Sequence, residues 1–308
     1  FMTAGPVSAA FENSYFSPRM KGLGSAFVAV SDDYYTSLLN PAGLATLDRL
    51  GFSVAYGKPF WGYDEDFKLD NLFASVVYPN LKAGTFNFYY SRFSVTELYA
   101  ESIYSLNYGV SLNNFLKKLL IKVNTGIGLK ILNKSYTLDK RTENDPVFKD
   151  GTTGTGFSMD YGLILAPFRK GSENYYNFGI SVQNINQPDM GFISEDVVYR
   201  KYNLGFAYYI LNKNLFKGSI IMPAAQISYE NEQTLICLGA EIWVYRKLLG
   251  IRAGWNSNEI STGLSFNYSI KQKFEIDFDY SFLLSSQLVE NSGTHTFALT
   301  FRFLKLLL

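Results

Sequence analysis

Phe274-Glu275-Ile276-Asp277-Phe278-Asp279-Tyr280 alternates strictly between large apolar and acidic side chains. In a β-strand successive side chains point to opposite faces, so this segment sets three carboxylates on one side and four large apolar groups on the other. Such a strand separates a polar medium from an apolar one. The alternation recurs on either side of it. Thr262, Leu264, Phe266, Tyr268 and Ile270 interleave with Gly263, Ser265, Asn267 and Ser269. Phe297, Leu299, Phe301 and Phe303 interleave with Ala298, Thr300 and Arg302, and Tyr104 through Val110 with Ser105, Asn107 and Gly109. Fourteen such runs are predicted, near 50–58, 71–79, 83–94, 102–113, 119–137, 155–167, 174–186, 198–211, 216–229, 233–246, 248–256, 258–270, 273–284 and 294–303.

Composition excludes the main alternatives. Aromatic residues make up 17% of the 308-residue chain and charge is balanced, so the chain is not disordered. No stretch approaches about 18 uninterrupted apolar residues, which excludes a helical membrane protein. One cysteine precludes an internal disulfide and a thiolate cluster, and one histidine precludes a multi-histidine site. No metal or other cofactor is expected. With 28 basic and 27 acidic residues there is no electrostatic case for nucleic acid.

What remains is an aromatic-rich β-protein, either soluble or membrane-spanning. An even number of strands, most near the ~9–11 residues needed to cross the hydrocarbon, fits a bacterial outer-membrane barrel. Connections at 59–70, 95–101, 138–154, 187–197 and 285–293 read as long and polar. Those at 80–82, 114–118, 212–215, 247 and 271–272 read as short turns. Long loops at one end and tight turns at the other are the transmembrane-barrel asymmetry, with the tight turns periplasmic. A soluble sandwich would cover its polar face with Lys and Glu. Here Gly, Ser, Asn and Thr fill one face while Phe and Tyr crowd the other, as an exterior in contact with outer-membrane lipid requires.

The first fifty residues do not alternate. Residues 1–10 are uncharged and end on small residues, which fits either a signal-peptide remnant or an ordinary N-terminus. Ser31-Asp32-Asp33 can cap a short helix through Leu39, which Asn40-Pro41-Ala42-Gly43 would end, Gly43 accepting positive φ. Residues 11–48 are too apolar for a tail. They read as a hatch folded into the lumen of a barrel at 49–303, or as a periplasmic helix packed on its edge.

Arg19-Met20-Lys21-Gly22-Leu23-Gly24-Ser25-Ala26-Phe27-Val28-Ala29-Val30-Ser31-Asp32-Asp33, followed by Asn40-Pro41-Ala42-Gly43-Leu44, resembles the N-terminal signature of FadL-superfamily barrels, closest to the PorV/PorQ branch. Val182-Gln183-Asn184-Ile185-Asn186-Gln187-Pro188-Asp189 and Gly293-Thr294-His295-Thr296-Phe297 fit the same branch. The resemblance implies an all-β, 14-stranded antiparallel transmembrane barrel of the outer membrane, with an N-terminal hatch. It places the hatch motif at Gly22, Gly24, Phe27, Asp32, Asp33, Asn40, Pro41 and Gly43. For the PorV/PorQ branch it implies a non-enzymatic role in type IX secretion, binding exported cargo with a C-terminal signal. For classical FadL members it implies passive transport of long-chain fatty acids or other hydrophobic small molecules through a lateral opening.

Parity assigns the remaining candidates. Lys122, Lys130, Asp160, Glu241, Arg252, Glu275, Asp277, Asp279 and Arg302 should face the lumen, as a translocation path or as an ion-pair network seating the hatch. Cys237 should face inward as a small buried residue, and His295 outward near the extracellular rim. Pro223 lacks an N–H for the ladder, so Ile221 to Ala225 should be bulged or kinked, as a lateral gate or a plain bulge. Gln187, Pro188, Asp189 and Phe192 lie on a loop able to meet a partner or to cover the mouth. Phe297, Phe301 and Phe303 resemble the terminal signal read by the barrel-assembly machinery, although a short tail, residues 304–308, follows them.

Overall fold

The computed structural model describes residues 11, 17–62, 68–80, 83–96, 98–116, 118–140, 142–143, 145–149, 151–167, 174–212, 214–270, 274–286 and 292–303. The expectations for residues 1–10 and 304–308 fall outside these. Fourteen strands form one closed antiparallel barrel, each paired with its sequence neighbours: β1 (Gly51–Lys58), β2 (Leu69–Asn80), β3 (Gly84–Val95), β4 (Tyr99–Ser111), β5 (Lys122–Tyr136), β6 (Thr153–Ala166), β7 (Tyr175–Gln183), β8 (Lys201–Asn212), β9 (Ser219–Glu230), β10 (Gln233–Val244), β11 (Leu249–Asn256), β12 (Glu259–Ile270), β13 (Phe274–Ser285) and β14 (Thr294–Phe303). Pairing of β1 with β14 closes the ring, so no strand edge is left without a partner strand in lipid.

The pleat sorts side chains as the alternation predicts. Asp279 and Arg252 are buried inside, while Phe278, Leu264, Trp255 and Tyr202 are exposed on the outer face. Tyr202, Tyr229 and Trp255 stand near one end of that face and Tyr78, Tyr108 and Tyr268 near the other, as two interfacial belts require.

Four long connections, 59–68, 137–152, 184–200 and 286–293, share one end of the barrel. The connection predicted at 95–101 is shorter than expected. Val95 still pairs with Tyr99, and Thr96 turns the chain at once with φ 51°. Residues 231–232 at the same end form a two-residue hairpin in which Asn231 and Glu232 both have positive φ, the geometry that matches strand twist. Strand β7 stops at Gln183 rather than 186, because Asn184, at φ 53°, turns the chain away. Pro223 does not produce the predicted bulge. The β8–β9 register is the same on both sides of it, from Ala207↔Ala224 to Ile210↔Ile221, and only the intervening pairs are lost. Pro223 itself points outward, where a missing N–H leaves a gap in the ladder without inserting a residue.

The segment before β1 packs against the inward faces of the strands. It opens with a helix, α1 (Pro18–Gly22), that the alternation gave no sign of; Ser17 caps it by accepting from the Met20 N–H. A 3-10 turn at Thr36–Leu38 replaces the longer helix expected after Asp33. Asn40 does not end a helix but begins one. Its side chain accepts from the Ala42 N–H and Pro41 occupies the first position of a second 3-10 turn, Pro41–Thr46. Gly43 is not in the positive-φ region. It is needed because a Cβ there would collide with Ser31 and Thr36.

Two features of the wall seat this segment. Where Pro41 crosses β5 the wall residue is Gly126, and a Cβ there would strike the Pro41 backbone; Gly254 of β11 faces the Leu23–Gly24 peptide in the same way. Around these points, wall side chains take up the segment's irregular backbone groups. Gln226 Oε1 accepts from the N–H groups of Phe27 and Val28 at 3.0 and 2.8 Å. Gln183 donates to Leu38 O at 2.9 Å, Asn177 to Ala29 O at 3.2 Å, and Asn256 to Gly24 O at 3.3 Å. Substituting Gly126→Val should therefore lift the Asn40–Gly43 turn from the wall. The expected result is unchanged β content by circular dichroism, a loss of about 1–3 kcal/mol of stability, and new protease cleavage near Pro41.

Candidate functional site

Lumenal charges form two separate groups. The first lies towards the short-turn end. Arg19, on α1, donates through Nε and Nη2 to the two Glu241 oxygens at 2.9 and 2.7 Å, and through Nη1 to Asp32 at 2.5 Å. Asp33 lies 3.5 Å from the same guanidinium and accepts from the Tyr35 N–H. Glu241 also meets Arg252 at 3.3 Å, and Arg252 donates to Ser265, which in turn donates to Asp279. Beside this chain, Arg49 meets Glu275 at 2.9 Å, and Arg302 bridges Glu275 and Asp277. The fork of Arg19 holds one strand and the loop that follows α1 at once, a geometry that a lysine could not reproduce.

Between these two ion-pair sets lies a cleft of about 510 Å³. Asp33, Arg49, Lys247, Glu275, Asp277 and Arg302 are among its lining residues. Phe27 is fully buried beside it, its ring under the Arg19 guanidinium at 5.7 Å.

The second group lies towards the long-loop end. Lys130 meets Asp160 at 2.8 Å and donates to Asn184 at 2.6 Å, and Asp160 accepts from the Asn184 N–H. Lys134 meets Asp196 at 2.5 Å, and Lys201 meets Glu230 at 2.7 Å. Lys122, read as part of one lumenal network, sits opposite Ala166 at the other end of β5, away from this group.

The loop carrying Gln187, Pro188, Asp189 and Phe192 folds inward. Met190 is buried against Gly156 of β6, Pro188 O accepts from the Val198 N–H at 2.9 Å, and Gln187 accepts from the Arg200 N–H. Asp189 accepts from the N–H groups of Gly191 and Asp196, which hold its carboxyl below the ordinary carboxylate range. Phe192 joins Tyr136 and Phe148 in an aromatic cluster, with the Lys134 ammonium 5.0 Å from its ring. Phe297, Phe301 and Phe303 point outward along β14, Phe297 against Tyr280 at 5.0 Å. Cys237 is buried inside, and His295 is on the outer face, bonded to the Tyr280 hydroxyl.

Parity placed Glu241, Arg252, Lys130 and Asp160 on the inward face without pairing them; the structure pairs Glu241 with Arg252 and Lys130 with Asp160. Sequence reasoning did not assign Arg19, Arg49, Lys134 or Gln226. Lys134 shares parity with Lys130 on one strand, a signal that was available. The other three are joined to their partners only by the way the segment before β1 packs against the inward faces of the strands.

A closed barrel with an apolar, aromatic exterior and a charged interior is an outer-membrane β-barrel of bacteria. The model of a family described as "Type IX secretion system membrane protein PorP/SprF" matches residues 29–301, and the chain belongs to that family. The N-terminal signature pointed to type IX secretion through the PorV/PorQ branch; the family that matches is PorP/SprF. Solved structures share the fold. The Ralstonia pickettii toluene transporter TbuX aligns over 95% of this chain and 99% of its own, with TM-score 0.59 at 9% identity. A Pseudomonas aeruginosa FadL homologue covers 92% and 97%, with TM-score 0.52 at 11% identity. The Pseudomonas putida toluene transporter TodX covers 97% and 100%, with TM-score 0.52 at 9% identity. No curated protein matches the chain by sequence.

Substituting Arg19→Ala takes the cation from Asp32 and Asp33 and leaves buried Glu241 with Arg252 alone. It should cost about 3–5 kcal/mol in equilibrium unfolding, whereas Glu241→Gln, which leaves Arg19 its two aspartates, should cost less.

Proposed function

We propose that this barrel is a non-enzymatic component of type IX secretion that acts by binding exported proteins carrying a C-terminal signal and helps secure them at the cell surface. The observation that carries this reading is the PorP/SprF family match across residues 29–301. In this reading the segment before β1 is a hatch: it fills the lumen, and Arg19, Asn40, Phe27 and the glycines around them hold it there. A filled lumen directs function to protein contacts at the rims. The contact surface proposed for cargo is the loop Gln187–Phe192, whose Asp189 and Phe192 are pre-ordered by hydrogen bonds and aromatic packing. Pre-ordering lowers the entropy lost on binding.

The second reading is passive transport of a long-chain fatty acid or other hydrophobic molecule. TbuX and TodX are toluene transporters, but at 9% identity the likeness to them is one of fold. Pro223 is the wall position that would serve as a lateral gate, since the β8–β9 ladder is interrupted beside it. Against this reading stands the cleft beside Phe27, which is lined by ionised side chains where an apolar ligand would need an apolar path.

Native mass spectrometry of the barrel extracted from its own outer membrane decides between the two. The secretion reading expects a co-purified protein bearing a C-terminal signal, lost in an Asp189→Ala/Phe192→Ala variant that still folds. A bound fatty acid or hydrocarbon, with no protein, would overturn it in favour of transport.

A further inference from the structure

The outward face of the barrel carries almost no charge. Register and parity give the outward positions of all fourteen strands, and the charged side chains among them are Lys58, Asp70 and Arg92. They do not scatter. Lys58 lies at the long-loop end of β1, Asp70 at that end of β2, and Arg92 towards that end of β3. His295, the one titratable imidazole of the chain, faces outward directly opposite Lys58 on β14. Lys68, exposed, immediately precedes β2. One contiguous sector of four adjacent strands therefore carries every outward strand charge, all near one rim.

Membrane position makes this distribution informative. A charge facing hydrocarbon is costly and needs an interfacial position or a partner, and long cationic side chains reach for the headgroups. Asp70, on β2 between the strands of the two cations, offsets part of their charge; its carboxylate accepts from the Tyr56 hydroxyl. The Lys58 ammonium lies 5.3 Å from the Trp61 ring, which fixes it at the aromatic belt. The rim beneath it is rigid, because Trp61 and Ser292 or Gly293 exchange backbone hydrogen bonds of 2.8 and 2.7 Å that extend the β1–β14 ladder beyond the strands. Lys58 and Arg92 stand two strands apart, on the order of 10 Å at ordinary inter-strand spacing. Long loops mark this rim as the extracellular one, so the patch faces the headgroups of the outer leaflet.

From this arrangement we infer that Lys58, Arg92 and Lys68, with Trp61 beside them, form a site on the outside of the wall for the phosphorylated headgroup of an outer-leaflet glycolipid. Arg and Lys supply charge-assisted hydrogen bonds to phosphoryl oxygens, the spacing suits a headgroup with two phosphates, and the apolar face below receives the acyl chains. Asp70 lies on the strand between Lys58 and Arg92, bonded to Tyr56, and leaves the three cations in excess of it. The sequence also places Asp64, Glu65 and Asp66 in the loop, at residues outside those described.

The test is native mass spectrometry of the intact barrel titrated with diphosphoryl lipid A, its bis-dephosphorylated form, and phosphatidylglycerol. Expected is a preference for diphosphoryl lipid A that falls about thirtyfold in Lys58→Gln/Arg92→Gln, the factor for two cations at an anionic lipid surface. Lys58→Arg/Arg92→Lys should keep the preference, and the heat-dependent gel shift of a folded barrel should be intact in both variants. The site is overturned if the wild type does not distinguish the phosphorylated from the dephosphorylated lipid, or if the Gln variant retains the preference. Competition by pyrophosphate at the lipid's own concentration would overturn it in favour of a soluble-anion site. Loss of binding on adding EDTA would also overturn it, assigning the hold to metal bridges from the loop acids.

Discussion

The structure depends on solving one problem: a largely irregular stretch of backbone is buried against the inward faces of the strands. Only short turns of helix form within it, and leaving its other N–H and C=O groups unpaired would cost more than the apolar contacts could offset. The wall supplies the partners. Gln226, Gln183, Asn177 and Asn256 each reach a main-chain atom of residues 24–38, and Asn40 bonds back to Val28 within the segment itself. This requirement explains why the inner face is rich in amides and hydroxyls rather than in lysine and glutamate. Glycines such as Gly126 and Gly254 answer a second part of the same problem, because backbone can approach backbone only where no Cβ intervenes.

Charge follows from burial and from membrane position. Inside, most ionised groups of the described strands meet a partner of opposite sign, while Glu101 accepts from the Tyr99 hydroxyl. The Arg19 fork is the joint between the segment and the wall, since it engages Glu241 on β10 and Asp32 just beyond α1. Outside, the strand faces are uncharged except in the sector from β14 to β3. A barrel wall thus carries two kinds of electrostatic information, one read from the lumen and one read from lipid. Both come from the same alternating pleat.

Strand identity was legible because it rests on a local rule. In Phe274 to Tyr280 every second residue is acidic, and no tertiary information is needed to see that the acids share a face. Loop lengths were legible where the alternation broke into long polar runs, as at 138–154, and misread at 95–101, where polar residues belong to strand ends. Pro223 was read as a bulge because a lost donor can be accommodated in two ways, and the register alone shows which was taken. Asn40-Pro41 was read as a stop, yet the same residues serve as a start. The sequence ahead of Pro41 and the sequence behind it are equally compatible with a turn of helix.

By itself, then, the sequence determined the fold class, the number of strands and the face each strand side chain occupies, because pleat and composition are nearest-neighbour properties; the resemblance of its N-terminal motif pointed to type IX secretion through PorV/PorQ, where the matching family is PorP/SprF. Tertiary structure alone decided that Arg19 meets Glu241 across 222 positions, that Gln226 holds Phe27 and Val28, and that the lumenal charges divide into two groups. It also decided that Lys58, Asp70 and Arg92 converge on one sector of the outer rim. These are contacts between residues far apart in the chain, set by closure of the barrel and its register, and no local pattern encodes them.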